Sequence, residues 1–354
     1  MNFTIVCLSY NRHSALKQLI SYYKNSNVHL IIADGSNEAF DHYKHVNFSN
    51  TYFQCTYLHI PSVSIHPRVK AAVELISTDF CCFIDDSDII LVSGLKKAIE
   101  FLESNTDFSS VSGDVVFSYY DKVFKKCNFM TMGHWSSELI LTGKTNERLI
   151  KLINDARTAN LYYCVTRTKY LKSFPLLISN IKYNFSGTYE LLWTAFLVIN
   201  GKFKKLDFPF LIRTGGDGYP EPIKITKDFK DYHIPSEYIR KSVDRLHEFF
   251  PHVKIETLFE FYSIQNTRLN KKYKDDLRFS KFLSKFNNYF MMFKYTYIGS
   301  ILRIIKRIYS TINKDSKNWS TSLLKYYSNQ KITNEERDDL LKANIILNAN
   351  RRIY

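Results

Sequence analysis

Three carboxylates crowd into four positions at Asp85-Asp86-Ser87-Asp88, directly after the apolar run Phe80-Cys81-Cys82-Phe83-Ile84. The run reads as a buried strand, so it carries a cluster of like charges to the edge of a core. Desolvated like charges repel, and the arrangement is best tolerated where a cation shares the site. A strand that brings clustered Asp to its own carboxyl end is how an open α/β sheet presents a divalent metal to a phosphate. The same residues also fit a solvated turn in which Asp86 or Asp88 caps the following helix.

The sequence before the cluster predicts the sheet. Phe3 to Ser9 is an apolar, β-branched run followed by Tyr10-Asn11-Arg12. His13 to Tyr23 then carries Ala15, Leu16, Leu19, Ile20 and Tyr23 at helical spacing. Val28 to Ala33 is a second strand ending in Asp34-Gly35-Ser36, and Arg68 to Ile76 a second helix with Val69, Ala72, Val73 and Ile76 on one face. The third strand is Phe80 to Ile84. Strand and helix in alternation imply a parallel sheet with functional residues at the strands' carboxyl ends.

In their order, Ser9-Tyr10-Asn11-Arg12, Ala33-Asp34-Gly35-Ser36, Arg68 before a helix, and Asp85-Asp86-Ser87-Asp88 resemble family 2 glycosyltransferases of the GT-A fold, the bacterial surface-polysaccharide type. The resemblance is clear over residues 3 to about 118 and thinner to about 215. It implies an α/β fold, a GT-A-like, Rossmann-related mixed sheet flanked by helices, over residues 1–220; beyond that the resemblance ends, and 221–354 reads from its own residues as a mostly helical basic extension.

With 45% hydrophobic residues the chain can bury a core, which excludes global disorder. Cys7, Cys55, Cys81, Cys82, Cys127 and Cys164 lack the pairing of a zinc site and read as reduced thiols, which points to the cytoplasm. No signal peptide and no run of eighteen uncharged apolar residues is visible. His42, His45 and His134 give no metal signature.

Farther along, a helix from Ser93 or Gly94 to about Glu103, a strand from Val111 to Tyr119 broken at Gly113-Asp114, a helix from Asn146 to Ala156 and a strand from Leu161 to Thr166 are expected. An apolar helix from Tyr189 to Ile199, stopped by Gly201, precedes a closing strand pair between Phe203 and Arg213. Helices are expected over 236–250, 254–270, 277–293 and 297–311, and Thr333-Asn-Glu-Glu336 forms a capping box for a last helix over 335–348. Between Leu277 and Lys331, eleven Lys and Arg face one acid, Asp315, so this stretch carries most of the chain's net +15. Three readings fit it: a helix lying on an anionic membrane surface, a helical domain packed on the rest, or a nucleic-acid face, the last least favoured.

The resemblance assigns chemistry to residues. Nucleotide binding falls to Ser9, Tyr10, Arg12, Asp34, Arg68, Asp85 and Asp86, with Asp34 accepting from the base. Asp34-Gly35 also fits an ordinary turn, and Arg68 a solvated helix start. Asp86 and Asp88 form an Asp-x-Asp pair for Mn²⁺ or Mg²⁺, with Asp88 the first choice as direct ligand; the family more often has Asp where Ser87 stands. Arg213 would add charge to the diphosphate, or is a surface residue. Glu190, the only acid between Arg157 and Asp207, matches the family's catalytic base, and otherwise is a favourable charge near a helix N-terminus. Trp193 fits core packing better than sugar stacking.

The expected activity is inverting transfer from a nucleotide-diphosphate sugar, UDP by family habit, to a glycan or lipid-linked glycan hydroxyl, at the inner face of a membrane. A metal-dependent nucleotidyltransferase and a non-catalytic membrane or polyanion adaptor are the alternatives.

Overall fold

The computed structural model describes residues 3–40, 53–62, 64–121, 126–131, 140–154, 159–179, 186–214, 236–265, 267 and 332–349. Strand β1 (Phe3–Ser9) is buried along its whole length, which explains its unbroken apolar run. Helix α1 (His13–Tyr23) puts Ala15, Leu16, Leu19, Tyr22 and Tyr23 inward, and β2 (Val28–Asp34) and β3 (Phe53–His59) follow. Helix α2 (Ile65–Glu74) begins three residues before the predicted Arg68. Its first turn tolerates Pro67 because backbone N–H groups there have no helical partner. Next come β4 (Phe80–Asp85), the short β5 (Ile89–Ile90), α3 (Val92–Ser104), β6 (Phe108–Asp121), β7 (Lys126–Thr131) and β8 (Ile140–Leu141).

The second half runs α4 (Thr145–Asn154), α5 (Ala159–Tyr162), β9 (Val165–Arg167), α6 (Thr168–Ile178), α7 (Ser186–Asn200) and β10 (Lys202–Thr214). After these come α8 (Ser236–Phe249), α9 (255–265) and α10 (Asn334–Ala349). The sheet order is β3-β2-β1-β4-β9-β6-β10-β5, with β7 on β6 and β8 on β10. β1, β2, β3 and β4 are mutually parallel. β9 is antiparallel to both β4 and β6, and β10 is parallel to β6. The carboxyl ends of β1, β2, β3, β4, β6 and β10 therefore share one edge.

Several expectations are corrected. Gly113-Asp114 does not break β6; it is where β6 meets an irregular stretch of β10 between Lys205 and Leu211. A Cβ at Gly113 would lie 2.6 Å from the Phe208 carbonyl oxygen, so glycine permits the close approach. Asp114 is buried there with Lys205, 2.6 Å away. Of the segment read as a strand from Leu161 to Thr166, Leu161 and Tyr162 end the short α5, Tyr163 and Cys164 make a turn, and pairing begins only at Val165. Residues 203–213 form one long strand rather than a pair. The stretch 119–145, rich in Lys, Gly and aromatics, reads as irregular, yet it contains β7 and β8; β3 and α6 carry no expectation from the sequence. β3 alternates buried and exposed positions on the sheet edge. α6 holds Pro175 in its interior, a residue that reads as a helix breaker.

The last helix begins where its capping box predicts. Thr333 N–H donates to Glu336 Oε2 at 2.7 Å and Glu336 N–H to Thr333 Oγ1 at 3.2 Å. α10 packs on α1 and α3, and its Asp339 accepts from Ser93 N–H at 2.8 Å, from Ser93 Oγ at 2.9 Å and from the Tyr22 hydroxyl. No local side chain caps α3, so its N-terminus is capped from the far end of the chain. Glu336 is buried and paired with Lys97. The basic stretch 277–331, with its two expected helices, lies outside the described residues, as do His42, His45, His134 and residue 220. Among the described residues, no helix is long and apolar enough to cross a membrane. Cys7, Cys55, Cys81, Cys82 and Cys164 are buried free thiols.

Replacing Asp339 by Ala strips three donors of their acceptor. The expected cost is about 1–3 kcal/mol in urea unfolding, with α10 loosened. A loss below about 0.3 kcal/mol would mean that the helix is not held this way.

Candidate functional site at the carboxyl edge of the sheet

The three aspartates sit side by side in sequence, and the fold turns each toward a different element. Asp86 faces the end of β1: its Oδ2 accepts from Ser9 Oγ at 2.9 Å, its Oδ1 from Arg12 Nη1 at 2.9 Å, and Tyr10 adds its backbone N–H. Asn11 makes the bend that aims Arg12, at φ 54°, a conformation Asn tolerates. Asp88 faces the end of β10, because β5 doubles back antiparallel to it with Ile89 opposite Ile212. Thr214 N–H donates to Asp88 Oδ1 at 3.1 Å, and Arg213 Nε stands 3.5 Å from Oδ2. Asp85, the least buried, accepts at Oδ2 from the Tyr163 hydroxyl at 2.5 Å.

Asp34 ends β2 and is fully buried. Its Oδ1 accepts from Ser36 N–H at 3.0 Å and from the Ser36 hydroxyl, its Oδ2 from the Tyr57 hydroxyl at 2.7 Å, and His13 Nε2 lies 3.4 Å away. Arg68 is buried rather than solvated. Its Nη1 donates to the Ser9 carbonyl at 2.7 Å and its Nε to the Ser64 carbonyl at 3.3 Å. Gly35 N–H bonds the same Ser9 carbonyl at 2.9 Å, and a Cβ on Gly35 would lie 2.5 Å from the Ser62 carbonyl oxygen. The ends of β1 and β2 are thus tied from beneath by Arg68. Tyr10 is half-buried in the same loop.

Glu190 is the fifth residue of α7, beyond the first turn, which weakens the helix-dipole reading. It is half-buried and close enough to act on Arg213, Tyr162 and Tyr163 electrostatically. An aromatic cluster fixes α7 to β4. Phe83 stacks on Tyr162 at 5.7 Å and meets Trp193 edge-on at 5.5 Å, so Trp193 is core, as its spacing predicts. At the other end of α7, Arg148 donates to the Val198 carbonyl at 2.8 Å and the Ile199 carbonyl at 3.0 Å, satisfying open helix carbonyls.

Burial dominates the electrostatics. It pushes the Asp86 carboxyl up to about 7, against the opposing pull of Arg12 and Ser9. It raises Asp88 too, helped by Asp85 and resisted by Arg213. Burial works against the Arg213 charge, yet Tyr163, Asp88, Asp85 and Glu190 hold its pKa above the ordinary arginine value.

The fit of a divalent cation turns on the oxygens left over. Asp88 Oδ2 is buried without a hydrogen-bond partner, a hard anionic donor whose charged neighbour is Arg213 Nε at 3.5 Å. Both Asp86 oxygens are engaged by Ser9 and Arg12. Among the described residues no group of three or more His, Cys, Asp or Glu is gathered to hold a metal. The set suits a cation that takes one or two protein carboxylates and completes its shell from phosphate.

The sequence brings Ser9, Arg12, Asp85, Asp86, Asp88 and Arg213 to one edge as expected, with Asp34 and Arg68 beneath. It does not point to Tyr57, His13, Tyr163 or Thr214. Tyr163 and Thr214 border elements whose ends the residue pattern leaves open, and the edge strand that bears Tyr57 gives only a faint alternation.

No family model matches the chain, and no curated protein matches it. Solved structures match its fold. The crystal structure of S. aureus TarS 1–349 aligns at TM-score 0.52 and 14% identity, covering 75% of this chain and 72% of that one. The same protein in complex with UDP-GlcNAc aligns at 0.54 and 14%, covering 75% and 73%. Its complex with UDP aligns at 0.50 and 15%, covering 77% and 72%. The chain has a GT-A-like mixed α/β fold.

The buried carboxylates set a pH dependence. Asp86 keeps a proton in the folded protein up to about 7. An unfolded chain releases it at about 4, so between these values the folded state binds more protons. Stability is therefore fullest at the acid end of this window and falls as pH rises through it. Asp88, and Asp114 at about 6, act in the same direction. In a chelator, Tm is expected to fall from pH 5 to pH 8, and D86N to flatten the decline. A Tm rising to pH 8 in both proteins would contradict it.

Proposed function

We propose that this chain is a glycosyltransferase that takes a UDP-sugar as donor and transfers the sugar to a hydroxyl of a glycan or lipid-linked glycan. The observation that carries the reading is the edge itself. The ends of β1, β4 and β10 bring Ser9, Arg12, Asp86, Asp88 and Arg213 together on a fold shared with a protein crystallised with UDP-GlcNAc and with UDP.

The β1 and β2 ends, with Asp34 and Tyr10, would take the base and ribose. Asp34 has both oxygens in use by Ser36 and Tyr57, so base recognition there requires Tyr57 or Ser36 to yield or to share. Arg68 supports this loop from below through the Ser9 carbonyl. Arg213 would lie against the diphosphate and stabilise the charge that develops as it leaves. Asp88 would hold Mn²⁺ or Mg²⁺, with Asp85 and Asp86 orienting ribose or water. What the cation supplies when bound is further positive charge against the leaving diphosphate.

Glu190 would accept the proton of the acceptor hydroxyl. The acceptor oxygen then forms a bond to the anomeric carbon as the bond from that carbon to the diphosphate breaks. One displacement inverts the anomeric centre. The basic stretch 277–331 would hold the enzyme against anionic lipid, and residues 221–354 would act as an appended region for the acceptor or the membrane.

A thermal-shift comparison of UDP, GDP, CDP, CMP and dTDP, with and without Mn²⁺ or Mg²⁺, tests the donor class. UDP with metal is expected to raise Tm, and D88A to abolish the metal-dependent part; no shift with any nucleotide would sink the reading. E190Q is expected to bind UDP normally and to lose about 10²-fold or more in turnover. Full turnover in E190Q would remove Glu190 as the base.

A further inference from the structure

Tyr163 joins both charged ends of the site, and nothing in the donor chemistry above uses it. It lies in the turn between α5 and β9 and is 1% exposed. Its hydroxyl donates to Asp85 Oδ2 at 2.5 Å and accepts from Arg213 Nη2 at 3.0 Å. The Arg213 guanidinium also lies over its ring, 4.9 Å from the centroid. A chain of contacts therefore runs from Asp85 through Tyr163 and Arg213 to Asp88, linking the end of β4 with the end of β10.

Left to itself, an arginine beside a buried carboxylate closes into a two-armed pair, and each group spends its charge on the other. That is not the arrangement here. The Arg213 Nε to Asp88 Oδ2 separation is 3.5 Å, and Asp88 Oδ2 has no hydrogen bond. One arm of the fork is held by the tyrosine instead, with the ring face supporting the guanidinium plane.

We infer that Tyr163 is a positioning residue that holds Arg213 off Asp88, so that both stay open to the diphosphate and its cation. The inference rests on the UDP-sugar reading of this site. Only a hydroxyl on a rigid ring does both jobs, donating to the carboxylate while accepting from the guanidinium. Phenylalanine at 163 would leave Asp85 Oδ2 without the tyrosine donor and free Arg213 to collapse onto Asp88.

The test is UDP titration by calorimetry, with and without Mn²⁺, on the native chain, Y163F and R213K, with Tm followed in parallel. Lysine at 213 keeps the charge and loses the fork, so R213K serves if Y163F folds poorly. Both variants are expected to lose tenfold or more of the Mn²⁺-dependent gain in UDP affinity, and combining Y163F with R213K is expected to add little. A merely structural tyrosine would lower Tm and leave that gain within twofold of the native value, which would overturn the inference alone. A native chain that binds no UDP with or without Mn²⁺ would overturn the inference together with the donor reading.

Discussion

Carboxylates taken out of water must each find a compensating partner, or the strand that carries them cannot end in the core. At the end of β4 three such groups stand within four residues, and no single partner can serve them all. Asp86 is met by Ser9 and Arg12 from β1, Asp88 by Thr214 and Arg213 from β10, and Asp85 by Tyr163 from the turn before β9. The separation of the three charges is what lashes four parts of the chain to one edge. It also leaves the site poised: the groups are partnered enough to be buried, yet one Asp88 oxygen remains without a hydrogen bond.

The same edge is supported from behind. Arg68 and Gly35 converge on the Ser9 carbonyl, so the β1 loop that presents Arg12 is held at its base. On the far side of β5, the Tyr23 hydroxyl bonds both the N–H and the carbonyl of Ile90, two residues beyond Asp88. Tyr22 reaches Asp339 on α10, which also caps α3. The last helix of the chain therefore bears, through two tyrosines of α1, on the segment that sets Asp88. Packing far from the chemistry controls its geometry because buried side chains have few alternative arrangements.

Much of the first half was legible because each signal was local. α1 runs over His13–Tyr23 as its apolar spacing predicts, β1 and β2 follow their apolar runs, and Thr333 with Glu336 forms the box that starts α10. What escaped had a non-local cause. Gly113 looks like a strand breaker until Phe208 and Phe210 of β10 are seen pressed against it. β3 is an edge strand whose less buried face mixes Gln54 and Thr56 with Leu58, and α6 carries a proline in its body. For Arg68 the sequence leaves a nucleotide contact and a solvated helix start both open; it is buried, with its Nη1 on the Ser9 carbonyl, a contact no local pattern announces.

By itself the sequence determined which residue types stand at the strand ends, because hydrophobic period and strand termini are properties of neighbouring residues. It thereby specified a sheet with Asp34, the Asp85–Asp88 cluster and Arg213 at its carboxyl edge. Only the tertiary structure decided how those charges pair: that Asp86 belongs to Arg12, that Asp88 faces Arg213, and that Tyr163 stands between Arg213 and Asp85. Pairing depends on which strands lie side by side and on where β5 turns back along β10. Contacts between residues 50 or more positions apart leave no period in the chain; they exist only once the sheet has closed.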